Sequence, residues 1–128
     1  MVDINEFVEV LRIPMPDNTQ PAVSILREVS EAIEIATDHK VRSWIEKGFP
    51  NVEYGQEYRV IISSSARSYE ETLLRAYVPL SGQPIRVFFG GNNMQECADD
   101  VELKTTLKEF LQAEHVRTLI QQLSNLGS

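Results

Sequence analysis

Apolar residues in the first 48 positions recur with the spacing of helices. Residues 1–16 comprise a short N-terminal helix that Asp3 can cap, with Ile4, Phe7, Val8 and Leu11 on one face, and a proline-rich connector. A long helix is predicted over residues 20–48. Its apolar face runs through Ala22, Ile25, Leu26, Val29, Ala32, Ile33 and Ala36. Val41, Trp44 and Ile45 lie about a third of a turn from that face, so we expect a bend or break at "TDHK".

Residues 52–91 change to a period of two, which is typical of strands. The segments "QEYRVIIS", "ETLLRAYVPL" and "PIRVFF" alternate in this way, and the short links between them predict an antiparallel meander. The face predicted to pack on the helices carries Tyr58, Val60, Ile62, Leu74, Ala76, Val78, Ile85, Val87 and Phe89. The reverse face carries Arg59, Ile61, Ser63, Leu73, Arg75, Tyr77, Arg86 and Phe88. The assignment requires strands without a bulge, because a one-residue slip exchanges the two faces.

The C-terminal segment, residues 93–124, is predicted to be helical but carries two apolar stripes. The first stripe contains Leu103, Leu107, Phe110 and Leu111. The second contains Val116, Leu119, Ile120 and Leu123, nearly opposite the first if the helix is continuous. Either the chain turns near residues 112–114, or one helix offers the second stripe to a partner as an interface.

These elements predict a single α+β domain over residues 1–128. It has a three-stranded antiparallel meander sheet, with N-terminal and C-terminal helices packed mainly on one face. The order of helix, three strands and helix is similar to that of the double-stranded-RNA-binding domain. Such domains carry lysines where the last helix begins, whereas "NNMQECADDVE" holds no base before Lys104. The sequence is therefore not assigned to that family, and no binding to double-stranded nucleic acid is expected.

Composition narrows the class of protein further. The 128 residues carry a net charge of −7, which disfavours phosphate binding, although residues 52–91 balance four acids against four arginines. No apolar run approaches the roughly 20 residues that cross a bilayer. Acidic residues near the N-terminus do not resemble a secretory signal, and Cys97 is the only cysteine. We therefore expect a cytoplasmic protein without membrane association.

The stretch "VFFGGNNMQE", residues 87–96, is the segment most similar to a phosphate-binding loop. It lacks a following lysine and is followed by acids, so a turn is favoured over an anion site. In that interpretation Gly90 and Gly91 permit a positive φ as the strand ends. Asn93 and Glu96 then form a helix cap, and Asp99 and Glu102 form a second cap of the same kind.

Other chemistry is sparse. His39 and His115 lie in separate elements, and nearby acids would raise the pKa of Cys97. We expect no catalytic residues, no cofactor and no metal.

The strongest candidate site is the arginine-rich reverse face of the sheet, with Arg59, Arg75, Tyr77, Arg86 and Phe88. Arginine among aromatic residues is typical of protein interfaces, but it also suits single-stranded nucleic acid or a small anionic ligand. A half-solvated sheet face without a ligand has the same composition. The leading hypothesis is a non-enzymatic protein-interaction or regulatory module that binds a protein partner or forms a homo-oligomer. The alternative is a small enzyme or anionic-ligand-binding protein using this face.

Overall fold

The fold is α+β, with one antiparallel sheet and helices at both ends. The computed structural model describes residues 4–13, 17–65, 69–90 and 93–126. The cap predicted at Asp3 and the positive φ predicted for Gly91 lie outside these residues. The elements are α1 Ile4–Arg12, α2 Gln20–Ala36, β1 Val41–Asn51, β2 Gly55–Ser64, β3 Glu70–Val78, β4 Ile85–Phe88, β5 Met94–Cys97, α3 Asp100–Gln112 and α4 Glu114–Leu126. The strands pair in chain order, β1-β2-β3-β4-β5. The α+β class was predicted correctly, but the sheet has five strands in the described residues and not three.

The first additional strand, β1, occupies residues that were predicted to continue the long helix. Helix α2 ends at Ala36, and Asp38 and His39 then adopt left-handed backbone conformations, with φ of 52° and 62°, which reverse the chain. In β1, Val41 and Ser43 are buried while Arg42 is exposed, so the side chains alternate as in a strand. The break predicted at residues 37–40 is therefore confirmed, but Val41, Trp44 and Ile45 after it belong to a strand and not to a second helical segment.

The second additional strand, β5, replaces the predicted start of the C-terminal helix. It pairs with β4, and Asn93 lies in the connecting turn, where its N–H donates to the Gly90 oxygen at 3.2 Å. The cap predicted at Asn93 is therefore wrong, whereas the cap at Asp99 is confirmed. Asp99 accepts a hydrogen bond from the Glu102 N–H at 2.9 Å, and Glu102 Oε2 accepts one from the Ala98 N–H at 2.7 Å.

The C-terminal helical segment is divided into two helices at Ala113, whose ψ of 137° is extended. The alternative in which the chain turns is therefore the one observed. Val116 and Leu123 are each only 2% exposed, and Leu119 and Ile120 pack partly buried against the same core. The candidate interface stripe of α4 thus faces inward and leaves no exposed apolar band.

One core joins helices α2, α3 and α4 to a single face of the sheet. Its fully buried members include Leu26, Val60, Ile62, Leu74, Val87, Leu103 and Leu107. A bulge interrupts the pairing of β2 with β3: Val60 faces Leu74, and Ile61 faces Thr72, so Leu73 is an extra residue. Leu73 is 6% exposed and belongs to the core, whereas its predicted place was the reverse face.

Among the described residues, no helix has the length and apolar character required to cross a membrane.

Candidate protein-binding face of the sheet

Strand pairing brings the five predicted site residues together on the face of the sheet opposite the core, here called the outer face. Arg59 pairs with Arg75, Arg75 with Phe88, and Tyr77 with Arg86. Directly paired residues project to the same side of a sheet, so the three arginines emerge together. The bulge lies toward one end of β3, before Arg75, and leaves this part of the register intact.

The outer face also contains residues that the sequence alone did not assign to it. They are Glu46, Tyr54, Glu57, Met94 and Glu96, which pair with or contact the predicted site residues. Glu46 was missed because the residues of β1 were predicted to be helical. Met94 and Glu96 were missed because the residues of β5 were also predicted to be helical. Glu57 belongs to β2, and the alternation of that strand was the signal that could have placed it opposite Tyr77.

Three aromatic rings form a cluster on the outer face, at the end nearest the turn between β1 and β2. The rings of Tyr77 and Phe88 are edge to face with centroids 5.4 Å apart, and the Tyr54 ring lies 5.8 Å and 6.2 Å from them. The guanidinium carbon of Arg86 lies 4.8 Å from the centroid of Tyr54. Such contacts are attractive beyond the apolar area that they bury, so the four side chains hold one another in place.

Tyr54 reaches the cluster from the turn between β1 and β2. The side chain of Asn51 accepts hydrogen bonds from the N–H groups of Glu53 and Tyr54, each at 2.8 Å. Gly55 then adopts a φ of 103°, which favours glycine, as β2 begins. The turn therefore fixes the backbone before and after Tyr54.

Glu57 links the aromatic cluster to the arginines. Its Oε2 accepts a hydrogen bond from the Tyr77 hydroxyl at 2.7 Å, and its Oε1 lies 3.3 Å from Arg59 Nε. The second contact is an ion pair without hydrogen-bond alignment. Donation to the Glu57 carboxylate raises the pKa of Tyr77, and partial burial raises it further.

Acidic side chains balance the arginines on the outer face. Arg59 lies 3.7 Å from Glu46 as well as near Glu57, and Arg86 lies 3.8 Å from Glu96. The arginines at 59, 75 and 86 contribute +3 and the glutamates at 46, 57 and 96 contribute −3, which sum to zero. A neutral, mixed face attracts a phosphate backbone or a small anion weakly, because such binding depends on uncompensated positive charge.

The described residues contain no group of three or more histidine, cysteine or acidic side chains arranged to hold a metal. Cys97 is buried, which raises the pKa of its thiol, and nearby acids act in the same direction. Gly90 has the positive φ predicted for it, 122°, in the turn between β4 and β5.

A groove of about 470 Å³ between α2 and β1 is a further concavity that sequence reasoning missed. The hydroxyl group of Ser43 donates a hydrogen bond of 2.9 Å to that of Ser30 within the groove. Both acidic and basic side chains line the groove. The groove could not be expected while residues 41–48 were assigned to a helix. Its mixed lining suggests no particular ligand.

Comparison with protein-family models, with curated proteins and with solved structures found no match. The geometry of the outer face is therefore the basis for a functional hypothesis.

Proposed function

We propose that this chain is a non-enzymatic protein-interaction module that binds a protein partner through the outer face. The observation that carries the proposal is the aromatic cluster of Tyr54, Tyr77 and Phe88, flanked by arginines, on the face opposite the core. Helices α2, α3 and α4 contribute their buried residues to the core on the other face. Tyrosine, phenylalanine, methionine and arginine are the residue types enriched at protein interfaces.

The arrangement of the cluster favours binding because its side chains are already ordered. Tyr77 is held by Phe88 and by its hydrogen bond to Glu57, and Arg86 is held between Tyr54 and Glu96. Side chains that are fixed before association lose less conformational entropy when a partner binds. The partner therefore meets a preformed surface.

Arg75 and Met94 are the members of the outer face most open to a partner. Both are exposed, and both lie beside Phe88 in the strand pairing. Among the described residues, Arg75 takes part in none of the ion pairs. Its guanidinium group can thus pair with a partner carboxylate without first leaving another one.

The charge balance of the outer face supports a protein partner over a small anionic ligand or single-stranded nucleic acid. Each positive charge of Arg59 and Arg86 is opposed by a carboxylate within 4 Å. Binding should therefore depend on shape and apolar contact, with a weak dependence on salt.

A charge-reversal comparison tests the proposal. Wild-type protein, Arg75→Glu and Arg117→Glu are immobilised, and proteins retained from an extract of the source cells are quantified after each variant is shown to fold by circular dichroism. Arg117 is an exposed residue of α4, so its substitution makes the same change in charge away from the outer face. A partner that wild type and Arg117→Glu retain and Arg75→Glu loses supports the proposal. Equal retention by all three, or no retained protein, contradicts it.

A further inference from the structure

Helix α1 presents an apolar face that packs against no core. None of its residues is buried, and Ile4, Phe7 and Leu11 are 72%, 58% and 84% exposed. With Val8 these residues lie on one side of the helix, because they are separated by three or four positions. An isolated helix of this length is marginal in water, so contact with another surface would stabilise it.

A concave surface, a groove, lies between α2 and α3. It encloses about 230 Å³, and its lining is mainly apolar. The apolar side chains are Ile25, Val29, Ala32, Leu107 and Leu111, and the charged ones are Glu28, Lys104 and Lys108. The two lysines belong to α3 and Glu28 belongs to α2, so the two sides of the groove carry opposite charges.

The apolar face of α1 matches this groove in length. Ile4 and Leu11 are seven residues apart, as are Ile25 and Ala32 on the α2 side and Lys104 and Leu111 on the α3 side. Seven residues of helix rise about 10.5 Å, so the helix face and both sides of the groove extend over two turns.

The charges at the borders of α1 also match the groove. Val10, which is 64% exposed, extends the apolar face of α1 beyond Phe7. At 100° per residue, Glu6 lies about 40° beyond Val10 on that side, and Arg12 lies about 40° beyond Val8 on the other. In one of the two directions that α1 can take along the groove, Glu6 faces Lys108 of α3 while Arg12 faces Glu28 of α2. The reverse direction opposes like charges, so the match also selects an orientation.

We propose that α1 of one copy of the chain occupies the groove between α2 and α3 of a second copy, and that the reciprocal exchange forms a dimer. In the structure α1 does not line the groove of its own chain. The chain before α2 is anchored elsewhere: the Asn18 N–H donates to the Leu80 oxygen at 2.9 Å, and Thr19 is buried. Two exchanged helices double the contact area and close the assembly with two-fold symmetry.

The first test measures the oligomeric state by sedimentation velocity at micromolar concentrations. Wild type is expected to be a dimer, and the double substitution Phe7→Ala, Leu11→Ala is expected to weaken dimerisation about tenfold or more, because two anchoring side chains are lost. Glu9→Ala, on the polar side of α1, is the matched control and should remain dimeric. A wild-type monomer, or a dimer that is indifferent to the double substitution, overturns the proposal.

The second test alters the groove instead of α1. Ala32 is exposed at the groove, so Ala32→Glu introduces a charge there without disturbing the core, and Ala36→Glu is the control on the same helix. Only Ala32→Glu should prevent dimerisation. Mixing Ala32→Glu with the α1 double variant restores one intact contact between two different chains, so mixed dimers should form where neither variant dimerises alone. Equal effects of the two glutamate substitutions, or the absence of mixed dimers, contradict exchange.

The third test reverses one pair of charges. Lys104 already lies 3.9 Å from Glu28, so Lys108 is the better partner for Glu6. Glu6→Lys and Lys108→Glu should each weaken dimerisation about two- to fivefold, and together they should restore it, as expected for a rim ion pair. Failure of the combination to restore affinity contradicts the proposed orientation. Since these residues lie away from the outer face, an undisturbed partner in the Arg75 experiment separates this inference from the proposed function.

Discussion

The hydrogen bond between Tyr77 and Glu57 gives a quantitative test of the order on the outer face. Tyr77→Phe removes the hydroxyl that donates to Glu57 Oε2 at 2.7 Å and leaves the ring in contact with Phe88. A hydrogen bond to a charged group contributes about 1.5–3 kcal/mol. The Glu57 side chain is only 15% exposed, which raises the cost of losing the donor, but the neighbouring Arg59 partly compensates. We expect the free energy of unfolding to fall by about 1–2 kcal/mol.

The assay is urea denaturation of a double-mutant cycle with Tyr77→Phe, Glu57→Gln and both substitutions. Glu57→Gln keeps an acceptor but removes the charge, and we expect a loss of about 1 kcal/mol and a coupling energy of similar size. Tyr69→Phe is the matched control, because its hydroxyl contacts Glu71 at 3.3 Å in an exposed position. The control should change stability by less than about 0.5 kcal/mol. A coupling energy near zero would refute an ordered network and, with it, the argument from preorganisation.

The same bond predicts a dependence on alkaline pH. The folded state raises the pKa of Tyr77 above its ordinary value of 10.0, mainly because the neutral hydroxyl donates to Glu57. The contribution of this group to stability is therefore fully present below pH 10, and it is lost as the pH rises through the higher folded value. The stability difference between wild type and Tyr77→Phe should shrink above that pH. A difference that stays constant through the alkaline range contradicts the assignment.

Three further predictions concern the fold and use thermal or urea unfolding. Leu26→Ala should cost about 2–5 kcal/mol, because Leu26 is fully buried in the core, whereas a change of about 1 kcal/mol would place it elsewhere. Gly55→Ala should destabilise by more than about 1 kcal/mol, since Gly55 has a φ of 103° and a Cβ there would meet Val78 O; a neutral effect contradicts the turn. Asp99→Ala should cost about 1 kcal/mol through loss of the cap of α3, and Asp99→Asn should retain most of it.

The central strands could be predicted from sequence because their period is unambiguous. β2, β3 and β4 alternate apolar and polar residues, and the pairing of Arg59 with Arg75 preserves that alternation across strands. The three arginines were therefore placed on one face correctly. Leu73 was not, since a bulge is created by pairing between two strands and leaves no mark in the sequence of either one.

The edge strands could not be predicted with the same method. Val41, Trp44 and Ile45 are spaced by three and four residues, which fits a helix as well as a strand. Their β-branched and aromatic types favour a strand, but pairing with β2 decides the outcome. β5 spans only four residues and contains Gln95 and Glu96, so its strand conformation comes from pairing with β4 and not from its own apolar pattern.

The missed edge strands explain why the charge of the outer face was misjudged. Glu46 lies in β1 and Glu96 in β5, and each opposes an arginine of a central strand. Without those strands the arginines form a positive patch, which made a small anion an attractive ligand. With those strands included, the charges of the outer face balance. Its mixture of arginine and aromatic residues is then the remaining indication of function, and this mixture is typical of protein interfaces.

The two proposed surfaces lie on opposite sides of the sheet, and this has a consequence for binding. The groove is formed by α2 and α3, which pack on the core side, whereas Arg75 and the aromatic cluster lie on the outer face. The proposed dimer would therefore leave both outer faces free, and it would present two identical faces to a partner. A multivalent partner would then bind the dimer more tightly than a monomeric variant, while a single partner domain in solution would bind both equally, because only linked sites raise the effective concentration.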